Sequence, residues 1–183
     1  MTRRLFAGIE LAADVRGTCA AAAAQLARTG FLARFEDPAK LHVTLAFLGN
    51  VDEARYDEIV AALAPAIAGI APLRVMLDKL GAFPHERKPR IVYVGAREQG
   101  AEFRSLAAAV RAAYEKLGFT FKEDSVAHVT IARVKEPRRA LPLVEMPPVH
   151  LPVNGVALFE SLHDKEANTT RYEIRERATL LVS

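Results

Sequence analysis

Apolar and polar positions change rhythm along this chain, and the changes divide it into short elements. Residues 4–11 alternate around Leu5, Ala7 and Ile9, the period of two expected of a strand with one buried face, and Ala12-Ala13-Asp14 ends the run. Residues 15–28 are dominated by alanine, the best helix former, with Asp14 as the expected N-cap and Gly30 as the stop. Residues 31–36 and 41–48 read as two strands around the turn Asp37-Pro38-Ala39-Lys40, a predicted hairpin closed by Gly49-Asn50. A second helix is expected from Asp52-Glu53, with Tyr56, Ile59, Val60, Leu63 and Ile67 at helical spacing and Pro65 kinking or ending it.

The second part of the chain repeats this alternation. Residues 73–80 and 90–94 are expected strands around a loop, 81–89, that holds His85, and a third helix fits 101–117 with Gly118 beyond it. Residues 119–121 and 127–134 are strand-like, the proline-rich stretch 137–152 reads as a surface connection, and 153–162 with 171–182 form a closing pair of strands. Strands follow one another in pairs and do not alternate strictly with helices. The expected class is therefore α+β with antiparallel sheet rather than a doubly wound fold.

Composition narrows the setting. A chain of 183 residues that is 51% hydrophobic can bury a sizeable core as one domain or two small lobes. No apolar stretch approaches the roughly 20 residues a membrane span needs. The apolar run after Arg3-Arg4 lasts five residues before Glu10, too short for a secretory leader. Cys19 is the only cysteine, which excludes an internal disulfide and a CxxC motif. A cytoplasmic location is expected. The net charge of +3, the pI of about 9.2 and basic groups such as Arg87-Lys88-Pro89-Arg90 and Lys135-Glu136-Pro137-Arg138-Arg139 give a mild preference for polyanions.

The candidate chemistry lies in a repeat. His42-Val43-Thr44-Leu45-Ala46 and His128-Val129-Thr130-Ile131-Ala132 share one pattern, 86 residues apart (128 − 42). On a strand, His42 and Thr44 occupy one face and Val43 and Leu45 the other, and the same holds for the second copy. Two facing lobes would then enclose two imidazoles and two hydroxyls, with no carboxylate or metal required. Opening a cyclic phosphate needs a base for water, an acid for the departing sugar oxygen, and donors for the nonbridging oxygens. Histidine suits the first two roles because it titrates near pH 6.5, and threonine suits the third. In-line displacement favours one histidine from each lobe. A lone histidine on a half-buried strand is more often a structural residue, but His42 and His128 share their threonine and their apolar neighbours. His85, His150 and His163 do not, and read as loop or strand-edge residues, with a zinc site built from them as the competing reading.

These segments resemble the two-histidine phosphoesterases, most closely the LigT-like RNA 2′,3′-cyclic phosphodiesterases of bacteria and archaea, once named 2′-5′ RNA ligases. The resemblance rests on residues 4–11, 41–49 with Val51-Asp52-Glu53, Gly81-Ala82-Phe83-Pro84 and 128–134, and spans nearly the whole chain. It implies one two-lobed, pseudo-symmetric domain over residues 1–183, each lobe carrying one His-x-Thr-x motif, with two antiparallel sheets flanking a central cleft and helices outside. It also implies hydrolysis of terminal RNA 2′,3′-cyclic phosphate to a 2′-phosphate without metal or other cofactor. By the family pattern His42 is the proton donor, His128 the acceptor, and Thr44, Thr130 and Arg133 contact phosphate. Strand parity places Arg133 opposite His128, so its reach into the cleft requires a twist or bulge. The chain departs from the pattern at Phe35, where tryptophan is frequent, at Ala127, where proline is, and at Ala46, where lysine is; the last predicts an altered affinity for the RNA backbone. The expected partner is an RNA end with a cyclic phosphate, with no membrane and no obligate protein partner, the chain acting as a monomer. Alternatives within enzymes are a phosphodiesterase for a small cyclic nucleotide and reversible 2′-5′ RNA end joining. Outside enzymes the alternative is a non-catalytic RNA-binding module, against which the two histidines and two threonines speak.

Overall fold

A computed structural model describes residues 1–122, 124–136, 139–164 and 169–181. In chain order the elements are β1 (Thr2–Glu10), α1 (Ala13–Arg28), β2 (Arg34–Phe35), β3 (His42–Asp52), α2 (Tyr56–Ala66), β4 (Leu73–Leu77), β5 (Lys79–Phe83), β6 (Ile91–Gly95), α3 (Ala101–Glu115), β7 (His128–Arg133), β8 (Val149–Val153), β9 (Gly155–Asp164) and β10 (Thr169–Thr179). Eight strands form an antiparallel sheet in the order β10-β9-β1-β3-β7-β6-β5, with β2 added to β7, while β4 and β8 pair separately. The expected α+β class with antiparallel sheet is what the chain adopts.

The sheet consists of two four-stranded halves that meet at one residue pair, Val43 opposite Val129. Both valines are fully buried, together with Leu45 and Ile131 from the same strands. Side-chain alternation therefore turns the intervening His42, Thr44, His128 and Thr130 to the opposite face. The helices close the buried side: α1 packs on β7 and β8, α2 on β9 and β10, and α3 on β3 and β4. Val15, Cys19 and Leu26 of α1, Ile59 and Leu63 of α2, and Phe103, Leu106, Val110 and Tyr114 of α3 supply their share of the core. Burial pushes the Cys19 thiol up to about 12, so it is an inert core residue.

Several sequence expectations are corrected. Residues 31–36 and 41–48 do not form a hairpin: β3 already has β1 on one edge and β7 on the other, so the two-residue β2 pairs with Arg133 and Ala132 of β7. The intervening residues 38–40 form a short 3₁₀ turn capped by the Asp37 carboxylate, which accepts from the Ala39 amide at 2.9 Å. The run 73–80 splits at Asp78, sending β4 to the small sheet and β5 to the large one, and β5 continues into the expected loop as far as Phe83. Residues 119–121 form no strand; the Phe119 amide folds back onto the Tyr114 carbonyl at the end of α3. The connection 137–152 holds part of β8, while Pro137 and Arg138 lie outside the described residues, as does Val182. Ala12, not Asp14, caps α1, and Asp14 sits in its first turn, where its charge favours the helix dipole. Asp52 does cap the turn leading into α2, accepting from the Ala54 amide at 3.0 Å.

Candidate active site

The two motif strands share an irregularity that plain alternation does not predict. Along β1 and β3, Ala7 faces Ala46 but Gly8 faces Thr44, so Leu45 is an extra residue in β3. Along β6 and β7, Val92 faces Ala132 but Tyr93 faces Thr130, so Ile131 is an extra residue in β7. Each bulge shifts the parity beyond it. Arg133, which simple counting sets opposite His128, thereby turns to the histidine's face, and Phe47 does the same beyond His42. Gly8 is what lets β1 lie against the bulged strand: a Cβ there would sit 2.6 Å from the Val43 carbonyl oxygen.

All five predicted site residues, His42, Thr44, His128, Thr130 and Arg133, line one cavity of about 160 Å³. The imidazoles are held alike. His42 Nδ1 lies 2.7 Å from the Lys40 carbonyl and His128 Nδ1 lies 2.8 Å from the Val126 carbonyl, in each case the residue two places earlier. A carbonyl only accepts, so Nδ1 carries the proton and Nε2 of the neutral ring holds the lone pair. His42 Nε2 lies 3.0 Å from Thr44 Oγ1.

Each ring also rests against a stacked aromatic pair. Phe6 and Phe159 stack at 4.9 Å, with Phe6 4.7 Å from His42 and Tyr172 edge-on at 5.2 Å. Phe83 and Tyr93 stack at 4.5 Å, with Phe83 edge-on to His128 at 5.2 Å. This apolar packing lowers both histidine pKa values by desolvating the charged form, while the backbone bonds at Nδ1 work against the shift. His128 and Arg133 further depress His42, whereas Glu36 opposes them; for His128 the remaining influence is Arg133, which lowers it. Charging one histidine disfavours charging the other, so the pair holds one proton more readily than two.

Arg133 is half exposed and donates from Nε to Glu36 Oε1 at 2.7 Å, which fixes its guanidinium at the rim. Ala46, where the family resemblance leads to an expected lysine, is fully buried against β1, and its side chain does not face the cavity. Lys40, Arg4, Phe6, Phe47, Glu36 and Tyr172 also line the cavity and were not singled out by the sequence. Phe6 was legible in principle, since it alternates with the core residues Leu5 and Ala7. Glu36 and Tyr172 arrive through long-range pairing and carry no local signal. His85, His150 and His163 lie on the loop after β5, on β8 and on β9, as loop or strand residues. Among the described residues no group of three or more histidine, cysteine, aspartate or glutamate side chains is placed to hold a metal ion, and no helix is long and apolar enough to cross a membrane.

Comparisons with known proteins bear on the family and the fold. The family model of the 2′-5′ RNA ligase superfamily matches residues 10–165. The RNA 2′,3′-cyclic phosphodiesterase of Archaeoglobus fulgidus is 38% identical over 99 residues, 54% of each chain, and that of Thermotoga maritima is 27% identical over 162 residues, 86% of each. The chain thus spans about half the length of the first relative and most of the second. The crystal structure of TT0787 of Thermus thermophilus superposes with a TM-score of 0.76 at 29% identity, covering 97% of each chain.

Proposed function

Because the chain belongs to the 2′-5′ RNA ligase superfamily, we propose that it forms a single two-lobed domain over residues 1–183 that hydrolyses the 2′,3′-cyclic phosphate at an RNA end to a 2′-phosphate, with His42 as acid and His128 as base. The observation that carries this reading is the matched pair of imidazoles, each tied at Nδ1 to a backbone carbonyl, on one cavity with two threonines. Relatives at 38% and 27% identity bear the name RNA 2′,3′-cyclic phosphodiesterase, which supports the substrate class.

In the proposed reaction His128 Nε2 takes a proton from water as the water oxygen attacks phosphorus. The bond from phosphorus to O3′ breaks on the opposite side, and His42 Nε2 gives its proton to O3′. The phosphate stays on O2′. Thr44 and Thr130 donate to the nonbridging oxygens and Arg133 balances their charge from the rim. Glu36 supports the division of labour, because its charge favours protonated His42, while His128 has no carboxylate acting on it among the causes of its shift. Burial disfavours the charged form of both rings in the free protein, and the negative charge of the bound phosphate favours uptake of a solvent proton by His42.

The test is incubation of EDTA-treated protein with an RNA oligonucleotide ending in 2′,3′-cyclic phosphate. A 2′-phosphate product with a free 3′-hydroxyl is expected. A 3′-phosphate product, or turnover that requires added zinc or magnesium, overturns the proposal.

A further inference from the structure

Two clefts leave the catalytic cavity in opposite directions. On the His128 side lies one of about 780 Å³, floored by Phe83, Ile91 and Phe121; two of its cations are tied to the backbone, Arg90 to the Lys135 carbonyl and Arg111 to the Leu45 carbonyl. On the His42 side lies one of about 690 Å³ that shares Arg4, Lys40, Arg133 and Tyr172 with the cavity and adds Arg34. It continues, through Arg34 and Arg133, into a third of about 400 Å³ that reaches Lys135 and Arg139. Arg34, Lys40, Lys135 and Arg139 make no side-chain hydrogen bond or ion pair with any described residue. Two of the acids on this path are already engaged, Glu36 by Arg133 and Asp37 by the Ala39 amide. Between the cations lies apolar surface, with Phe35 half-buried and Leu32 81% exposed.

We infer that the RNA strand leading to the cyclic phosphate leaves the catalytic cavity on the His42 side, along Lys40 and Arg34 to Lys135 and Arg139. The inference rests on the proposed reaction at one point. If His42 protonates the departing sugar oxygen, in-line geometry puts the sugar, and with it the strand attached to its 5′ oxygen, on the His42 side of phosphorus. Free cations at intervals, with apolar surface between them, are the pattern that holds a single strand through its phosphates and bases. The opposite cleft, on the side of the attacking water, has most of its positive charge already bonded.

The test compares wild type with the triple variant Arg34→Gln, Lys135→Gln, Arg139→Gln on a mononucleoside 2′,3′-cyclic phosphate and on an RNA of about ten residues with the same end, a length within the range such grooves accommodate. For the long substrate kcat/KM should fall about tenfold at low salt, and the slope of log(kcat/KM) against log salt should flatten by about 2, three charges at roughly 0.7 each. The mononucleotide should be processed unchanged. Lys122→Gln, on the opposite cleft, should affect neither substrate. Equal losses on both substrates, no change in slope, or a selective loss from Lys122→Gln overturns the path. Binding of a ten-residue RNA ending in 2′-phosphate, read by fluorescence anisotropy, separates the two proposals. If no substrate turns over, the hydrolytic reading fails, while weaker binding by the triple variant still supports the path and equal binding refutes it.

Discussion

The two halves of the sheet carry the same motif, the same bulge and the same carbonyl anchor on the histidine, yet they differ in what surrounds it. Beyond the bulge, the His42 half presents Phe47 and the His128 half presents Arg133 at the equivalent position. Glu36 acts on His42, and Tyr172 covers His42 edge-on while Phe83 covers His128. The scaffold alone would give two interchangeable imidazoles. In the proposed mechanism the direction of proton flow comes from their neighbours, so the comparison predicts which changes abolish turnover and which only tilt it.

Replacing either histidine with alanine removes half of the proposed acid-base pair. Turnover should drop by several orders of magnitude for His42→Ala and for His128→Ala, with the double variant little worse than the weaker single, because the two act as a unit. A single variant with near wild-type turnover on a cyclic phosphate would refute the pairing. Thr44→Val and Thr130→Val should be milder. A hydrogen bond to a charged group is worth roughly 1.5–3 kcal/mol, which translates to about one to two orders of magnitude in kcat/KM. Here the halves should differ: Thr44 also bonds His42 Nε2, so Thr44→Val should alter the pH profile as well as the efficiency, and Thr130→Val the efficiency alone.

Arg133→Phe copies the residue of the other half onto the second bulge. Since Arg133 is half exposed and already shared with Glu36, the loss in kcat/KM should be about tenfold or less, carried mainly by KM, as steady-state kinetics would show. The smallest expected effect is a displacement. Glu36→Gln removes the charge that favours protonated His42, so the His42 pKa, already lowered by burial, falls further. The acid is then lost sooner as pH rises, and the basic limb of the kcat/KM profile should move to lower pH. A limb that stays in place would separate Glu36 from the acid and remove the support it gives to the assignment.

The motif strands, the three helices and the fold class were legible because they depend on local periodicity: alanine-rich stretches, a period of two, glycines past helix ends. Four of the five site residues followed from that alternation. Arg133 required a bulge, and neither Leu45 nor Ile131 announces one, since both are ordinary buried residues whose extra place becomes visible only against the partner strand. The pairing of β2 failed for a related reason. Two residues joined to a strand nearly 100 positions away have no pattern of their own, and the turn between them and β3 imitates a hairpin. Glu36 and Tyr172 entered the site by the same long-range route.

The single pairing of Val43 with Val129 also bears on how the molecule comes together in time. β1 with β3 and β6 with β7 join segments much closer along the chain than the 86 residues between the motifs, and closing a loop of that length costs about 4 kcal/mol by (3/2)RT ln n before any contact offsets it. Each motif strand can therefore pair with β1 or β6 and place its own histidine before the halves meet, whereas β9, 155 residues from β1 at Leu5 and Glu160, and β2, 99 residues from β7 at Arg34 and Arg133, join over longer loops. Enzymatic competence should then appear with the last phase of refolding, after most of the far-ultraviolet circular dichroism has returned. Recovery of both signals at one rate would mean that the halves condense around the valine pair from the start.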